Sequence, residues 1–497
     1  MPDRLRLILG VKLRALREER GLGLKTLARS AGLSVSYLSE IEQGKKYPKP
    51  DKLVDLAHAL GVPYDDLVSL RVDKGLGALK DAIESPFLES FPFDLFGIDP
   101  RAVVRIMAGM PDKSEALVRA IRDLTRAYDA NVEDWLKAAL RAYQQLHTNH
   151  FPDLEALADH LRQSLGATDA VTLRTALEAT GLRIDTVRLA EDPDLAGFRA
   201  VFREGDDGPV LYVNGDLREE QRAFLYAREL AFLELGAEHR PVTSPWVRVE
   251  RFDEVLDYFE ASYVAGAILL PAETVDEALL DLAQAEQWDS SRLLRLLGEF
   301  RATPEMFLHR LTQRVSAVLG IREFYFLRFH DAVTRDHVTL AKSFNLSRIP
   351  VPHGIAADEK WCRRWPGLRA LAELDRAQAR AAGRGEPAPR PVVVAQRQRF
   401  APGTAAETGD GEFFVVSVAR PLALRPDVNS AVSLGLLLTT ATKRRIRFWD
   451  DPALERVEVS LTCQRCPVSD CRVRAAPPTV LEKREARDRQ QAAVDAL

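Results

Sequence analysis

Apolar residues recur at helical spacing through the first sixty positions. Val11 to Glu19 predicts a helix with Leu13 and Leu16 on one face, stopped by Gly21, and a second short helix covers Leu24 to Ser30. Gly32 permits a tight turn, and Ser34 is a good N-cap for a third helix, Val35 to Gln43. That helix turns Leu38 and Ile41 inward and Val35, Ser36, Ser39 and Glu40 outward. Gly44 ends it, Lys45 and Lys46 follow, and a fourth helix runs from Asp51 to Leu60 before Gly61.

Beyond residue 75 the chain reads as helical, with a long amphipathic helix from about Ser114 to Ala130 and more helices to Leu165. From about Asp169 the pattern is mixed. RIDTVRLA, GFRAVFRE and PVLYVNGD read as three strands, followed by helical REEQRAFLYARELAFLELG and LDYFEASYVAGAILLP. Helices continue from Ala272 to about Leu319, with Ser290 and Ser291 at one cap. TPEMFLHRL within them has a helix-turn-helix look, but its surroundings lack a basic face, so it is read as core packing. Residues 321–475 read as strands with long loops: REFYFLRFHD, RPVVVAQRQRF, EFFVVSVARPLA, SAVSLGLLLTT and RVEVSLTC. The C-terminal half of Ala372–Pro391 reads as an exposed excursion, and the last residues as a fraying charged helix.

The expected fold class is multidomain α+β. An all-α helix-turn-helix domain (1–72) leads into a helical linker and dimerisation region (73–166). A mixed α+β domain (167–320), a C-terminal α+β domain (321–478) that carries the cysteines and a charged tail (479–497) follow. A length of 497 residues agrees with several cores rather than one.

The whole chain carries a net charge of −4, so it is no polycation. Residues 1–52, however, hold twelve Lys and Arg against six Asp and Glu, a local balance of +6. That is the electrostatic footprint of phosphate binding. The N-terminus is charged throughout, which argues against a signal peptide, and no apolar run reaches the roughly 20 residues that span a bilayer. The expected setting is cytoplasmic, without membrane attachment.

Leu27-Ala28, Gly32, Leu38, Ile41-Glu42, Gly44-Lys45 and the LAHALGV element resemble the Cro/phage-repressor (Xre) helix-turn-helix family over residues 9–69. The resemblance implies a homodimer on double-stranded operator DNA, with the third helix in the major groove. Ser34, Val35, Ser36, Ser39 and Glu40 would then approach base edges, and Lys25, Arg29, Tyr37, Lys45 and Lys46 would lie near phosphates. Leu24 departs from the polar residue the family often places at the start of the second helix.

The order of strands and helices after Asp169 resembles the ImmA/IrrE-type metallopeptidase fold. In that family a His-Glu-x-x-His helix binds zinc, and its Glu acts as base. The same positions here are Arg228, Glu229 and Phe232, and the family's third ligand falls on Glu260. The resemblance thus makes residues 167–320 a degenerate metallopeptidase-like domain. Arg is always cationic and Phe has no lone pair, so no peptidase activity is expected and no catalytic residue is assigned. The remaining carboxylates read as half-buried groups neutralised by Arg228, or the old cleft has become a ligand pocket.

Three of four cysteines cluster in LTCQRCPVSDCRVR as Cys463, Cys466 and Cys471, and the fourth is Cys362 in EKWCRRWPG. Three local thiols plus one distant thiol make a set that suits an iron–sulfur cluster or structural zinc. Buried free thiols and a Cys463–Cys466 disulfide are the plainer readings. Arg363, Arg364, Arg465, Arg472 and Arg474 would offset thiolate charge, and Trp361 and Trp365 would shield the group from water. IPVPHGI, WCRRWP and CQRCPVSDCRVRAAPP, in this domain order, resemble the short-chain fatty-acyl transcriptional regulators of propionate and acetate metabolism. That resemblance makes residues 321–478 a sensor domain and implies an acyl-CoA-responsive regulator with a [4Fe–4S] cluster on Cys362, Cys463, Cys466 and Cys471. For the acyl-CoA phosphates the sequence offers Lys443, Arg444, Arg445 and Arg447 beside Phe448 and Trp449, equally readable as a basic surface turn. His353 reads as a hydrogen-bonded core histidine or a pocket residue. The rival functions are a repressor-cleaving metallopeptidase and a purely redox-sensing regulator.

Overall fold

The structure, a computed structural model, describes residues 2–68, 93–96, 132–205, 208–238, 242–244, 251–331, 338–347, 359–387, 390–401 and 411–496. It divides into two compact units, 1–139 with 250–252 and 140–249 with 253–497. The helix expected over Ser114–Ala130 and the residue His353 lie outside the described residues.

The first unit begins with five helices: α1 (Pro2–Glu19), α2 (Leu24–Ser30), α3 (Val35–Glu42), α4 (Pro50–Leu60) and α5 (Tyr64–Val68). Helix α1 reaches nine residues further back than the apolar pattern suggested, and α5 was not anticipated. Leu13, Leu27, Leu38, Ile41, Leu53, Leu56 and Leu67 form their common core. Ser34 caps α3 by accepting from the Tyr37 N–H at 3.1 Å. Gly10 lets two helix backbones touch, because a Cβ there would stand 2.4 Å from the Ile41 carbonyl oxygen. Arg17 ties the same helices together, donating to both Glu42 oxygens at 2.7 and 2.9 Å and to the Leu22 carbonyl at 2.9 Å.

The described α-helices of the expected linker are α6 (Val132–Leu146), which runs across the division between the units at residue 139, and α7 (Pro152–Leu165) in the second unit. Next comes a four-stranded sheet in the order β1-β3-β2-β4, with β1 (Arg183–Asp185) parallel to β3 (Gly208–Val213). Antiparallel β2 (Ala200–Gly205) pairs with β3 and with β4 (Thr243–Ser244). RIDTVRLA is strand for only three residues. The Asp185 carboxylate accepts from the Val187 and Arg188 N–H groups and turns the chain into the one-turn helix α9 (Arg188–Glu191), after α8 (Ala170–Ala179). Helices α8, α10 (Glu219–Glu234) and α11 (Phe252–Leu269) share an apolar core with this sheet through Leu173, Leu177, Leu211, Ala227, Ala231 and Val264.

A six-stranded sheet follows in the order β10-β7-β8-β9-β5-β6. Its strands are β5 (Phe324–Asp331), β6 (Val338–Asn345), β7 (Val392–Phe400), β8 (Glu412–Pro421), β9 (Asn429–Leu437) and β10 (Arg456–Val459). Only the β10–β7 pair is parallel. Both faces are buried, which explains the unbroken apolar runs. Phe324, Phe326, Phe414, Val416 and Leu434 pack with Val275, Leu293 and Leu311 of α12 (Ala272–Gln284), α13 (Ser290–Glu299) and α14 (Pro304–Leu319). Tyr325, Leu327, Phe329, Phe413 and Val415 face the other way, onto Leu368, Leu371 and Leu374 of α15 (Pro366–Arg384). Thus the first part of the expected excursion is helix, ended by Gly385 at φ 65°. Strand β6 escaped the sequence because VTLAKSFN alternates half-buried and exposed side chains at the sheet edge. The cap of α13 is Asp289, accepting from the Ser291 N–H, rather than either serine. The final helix, α17 (Thr479–Asp495), buries no residue; α16 (Thr440–Arg445) precedes it.

Among the described residues no single helix is long and apolar enough to cross a membrane. Only Phe252–Leu269 with Ala272–Gln284 reach that length and hydropathy together, and they bend by 74° at their junction.

Candidate functional site

Three groups of residues carry chemistry. The first is the outer face of α2 and α3. Lys25, Arg29, Ser34, Val35, Ser36, Lys45 and Lys46 are exposed, and Tyr37, Ser39 and Glu40 are half-buried. Two of them are already engaged: the Lys46 ammonium pairs with Glu40 at 2.8 Å and lies 5.7 Å from the Tyr37 ring centre. The five-helix core therefore presents one polar and basic face to solvent, the form that enters a major groove.

The second group is a set of charged and aromatic side chains to which both sheets of the second unit contribute. Arg228, on α10, is only 3% exposed. It donates to the Tyr258 hydroxyl of α11 at 2.8 Å and reaches Ser244 of β4 at 3.5 Å. Its guanidinium carbon stands 4.8 Å from the Tyr258 ring centre and 6.0 Å from that of Phe232. The Glu229 carboxylate is 3.7 Å away, and the Arg228 Nε has no hydrogen-bond partner although it is buried.

From the six-stranded sheet, Arg328 of β5 donates to Glu305 of α14 at 2.6 Å and to His330 Nε2 at 2.8 Å. Lys342 of β6 lies 3.9 Å from Glu305. The Glu305 and Lys342 side chains remain 30% and 44% exposed. Glu305 is half-buried and Lys342 exposed, and burial is the largest influence on the ionisation of both. Burial alone would raise Glu305, but Arg328, Lys342 and Arg199 hold it far below the usual carboxylate range. Burial lowers Lys342, with Glu305 opposing. Burial would also raise the Tyr258 phenol, yet Arg228 and Arg199 hold it below its ordinary value. Burial and then Arg328 bring His330 down to about 4, so it is neutral and can accept. Arg199, Arg228, Arg328 and Lys342 thus bring four cations to this part of the second unit, against the carboxylates of Glu229 and Glu305.

The third group is the cysteines. An isolated antiparallel bridge pairs Trp361 with Thr462, and the Cys362 N–H donates to the Leu461 carbonyl while the Cys463 N–H donates to Lys360. The upstream thiol is thereby brought against the terminal loop. Glu359 clamps the same two segments, accepting from Arg465 at 2.6 and 2.8 Å and from the Thr462 hydroxyl at 2.6 Å. Cys362, Cys463 and Cys466 are buried and Cys471 is half-buried. The Ser460 and Ala475 N–H groups point at the Cys362 and Cys463 sulfurs at 3.5 and 3.3 Å. Arg474 donates to the carbonyls of Cys463 (3.1 Å), Cys466 and Val468, closing the loop around itself. Trp365 is buried and donates to the Ser460 carbonyl at 2.8 Å. Burial, with smaller contributions from Cys466 and Cys463, pushes the Cys362 thiol up to about 11. Among the described residues no three His, Cys, Asp or Glu side chains converge closely enough to hold one ion. The fully buried Ser460 hydroxyl beside Cys362 has no hydrogen-bond partner.

Residues 8–70 match the sequence pattern of the helix-turn-helix domain family, and residues 181–312 match that of the IrrE N-terminal-like domain. The chain joins an Xre-type helix-turn-helix domain to an IrrE-like domain. It is 26% identical over 361 residues to a propionyl-CoA carboxylase regulator of Cereibacter sphaeroides, covering 69% of this chain and 73% of that one. It is 48% identical over 60 residues to the HTH-type transcriptional repressor RghR of Bacillus subtilis, 12% of this chain and 44% of that one. A solved Mycobacterium tuberculosis transcriptional regulator aligns over 68% of this chain and 92% of its own, at 22% identity and a TM-score of 0.44. The protein is a helix-turn-helix transcriptional regulator.

Within the IrrE-like domain, the α11 residue that meets Arg228 is Tyr258. Glu260, expected there, is half-buried and raised above its ordinary value by burial and by Asp257. Glu229 is fully buried rather than half-buried. Of the basic residues expected to meet phosphates, Arg444 and Arg445 are exposed at the end of α16 and Arg447 is exposed just after it, while Lys443 lies 4.6 Å from the Trp449 ring centre. The charged group around Arg228 was missed, because Arg199, Tyr258, Glu305, Arg328 and Lys342 come from separate elements and form no local motif. Its one sequence signal was Arg228 in place of a zinc histidine.

Proposed function

We propose that this regulator is a cytoplasmic homodimer whose helix-turn-helix domain binds operator DNA under the control of an acyl-CoA, taken up in a cationic recess between Arg228 and Lys342. The observation that supports it is the buried Arg228 with an unpartnered Nε, donating to a Tyr258 whose phenol also feels Arg199 and Lys342. A phosphorylated ligand answers such an excess of cations. A relative is named a propionyl-CoA carboxylase regulator, a regulator of an enzyme named for an acyl-CoA, which agrees with this choice of effector. Arg228 and Phe232 stand where a metallopeptidase needs histidines, so the IrrE-like domain acts as a receptor and not as a peptidase.

The four thiols form the proposed site of an iron–sulfur cluster, which would brace the segment around residue 362 against the terminal loop. A single zinc, with Zn–S bonds of about 2.3 Å, needs its sulfurs within about 4 Å of one another. A cluster spreads its cysteines over several irons. Two buried thiols, Cys463 and Cys466, that influence the buried Cys362, two N–H groups aimed at sulfur and an orphaned hydroxyl support the larger group. Cys362, Cys463, Cys466 and Cys471 would hold it, and Arg474 and Glu359 fix the loop that carries three of them.

The test is operator affinity with and without a panel of short- and long-chain acyl-CoAs. A coupling on the order of 1–3 kcal/mol, about 5- to 150-fold in affinity, is expected. Equal affinities across the panel overturn the reading. For the thiols, anaerobic purification should give a brown protein containing iron, whereas a colourless protein with one zinc per chain overturns the cluster.

A further inference from the structure

We infer that Glu305 is a built-in competitor for the anion that the cationic recess receives. This rests on the recess being the effector site, as proposed above. Glu305 lies in the first turn of the 16-residue helix α14, where the helix dipole and the N-cap Thr303 favour a negative charge. Its carboxylate accepts from Arg328 at 2.6 Å and lies 3.9 Å from the Lys342 ammonium. These are the two cations of the recess with the most direct claim on an incoming phosphate or carboxylate. Glu305 therefore already occupies, from within the chain, the electrostatic position a ligand anion would take.

The neighbourhood is asymmetric. On the α10–α11 side, Arg228 keeps an unpartnered Nε and its closest oxygen ligand is a phenol. On the α14–β5–β6 side, Arg328 and Lys342 are answered by a full carboxylate, and His330 takes another Arg328 donor. His309, one turn further along α14, adds no neutralising anion. A ligand anion reaching Arg328 and Lys342 must displace Glu305 or share its cations, and either weakens binding. Because Glu305 sits at a helix start and keeps part of its surface open, it can withdraw without unfolding α14. The competitor sets the effector concentration at which the regulator responds, excluding weakly charged acyl compounds while admitting a polyphosphate.

The experiment is calorimetric titration of the full chain with coenzyme A and, separately, inorganic pyrophosphate. Glu305→Gln, which keeps an oxygen acceptor for Arg328, should bind both probes at least tenfold more tightly than the native protein. Glu305→Asp keeps the charge and should stay within threefold of it. Glu305→Gln binding more weakly, or within twofold, makes Glu305 an organiser of Arg328 or a bystander and overturns the inference while leaving the effector site standing. Lys342→Ala separates the two readings: if it fails to weaken coenzyme A binding, the recess is not the effector site and both fall. A thermal melt of Glu305→Gln guards against misfolding. If that variant does not fold, Glu305→Asp binding more than threefold tighter or weaker than the native protein overturns the inference in its place.

Discussion

Arg228 both donates to the Tyr258 hydroxyl at 2.8 Å and lies over the Tyr258 ring, 4.8 Å from its centre. One side chain thus satisfies the polar edge and the π-face of its neighbour. Both residues lie within the stretch that matches the IrrE N-terminal-like domain.

Arg228→Met keeps most of the apolar stem but removes the donor and the charge. It should cost about 1–3 kcal/mol, because the Tyr258 hydroxyl loses its charged partner in a buried setting. Urea midpoints at constant m measure this, and coenzyme A affinity should fall at least tenfold. Unchanged affinity in a folded variant places the effector elsewhere.

Gly435 of β9 lies opposite Tyr325 of β5, and a Cβ at 435 would stand 2.3 Å from the Tyr325 ring, which is fully buried. Gly435→Ala should therefore destabilise the six-stranded sheet by about 1–3 kcal/mol. Adding Tyr325→Leu should return part of that loss in a double-mutant cycle. Strict additivity of the two changes would mean the ring is not what opposes the methyl group.

Lys25 and Lys45 are exposed on the groove-reading face. Replacing either with Ala should weaken binding to every duplex to a similar degree. It should also lower the slope of log affinity against log salt by about 1. Ser36→Ala should instead alter base preference while keeping the slope. Titrations against duplexes selected by the protein from a random pool distinguish the two behaviours.

His330 is held neutral, with its ionisation brought down to about 4 from an ordinary value near 6.5. The folded state resists a proton that the unfolded chain accepts, so this contribution to stability is complete above pH 6.5. It is lost as pH falls toward 4. The loss should be on the order of 2 kcal/mol between pH 7 and 4.5. His309, brought down to about 3 by burial first and Lys342 second, acts in the same direction. Urea unfolding at both pH values should show the drop, and His330→Gln should remove part of it. A drop of equal size in the variant would assign the dependence to other groups.

Much of the architecture was legible because local pattern and tertiary role agree. The third helix was read to within one residue, since Ser34 caps it and Leu38 and Ile41 are its only route to the core. FYFLRF reads as strand whichever face is buried, and here both are. RIDTVRLA failed because one Asp185 side chain captures two N–H groups and bends the chain, a short-range event invisible to periodicity. At the candidate sites, the cysteines announced themselves by rarity. The charged group around Arg228 did not, since its arginines and its lysine look like any solvated charge until folding brings them together.

The Trp361–Thr462 bridge has a consequence for biosynthesis. Ser460, whose N–H reaches the Cys362 sulfur, leaves the ribosome 98 residues after it, on the order of 5–20 s later at usual elongation rates. Until β10 docks against β7, Cys362 has no terminal loop to close over it. Burial of that thiol is then a late milestone of maturation, and a nascent or truncated chain would display it as a reactive, labellable group.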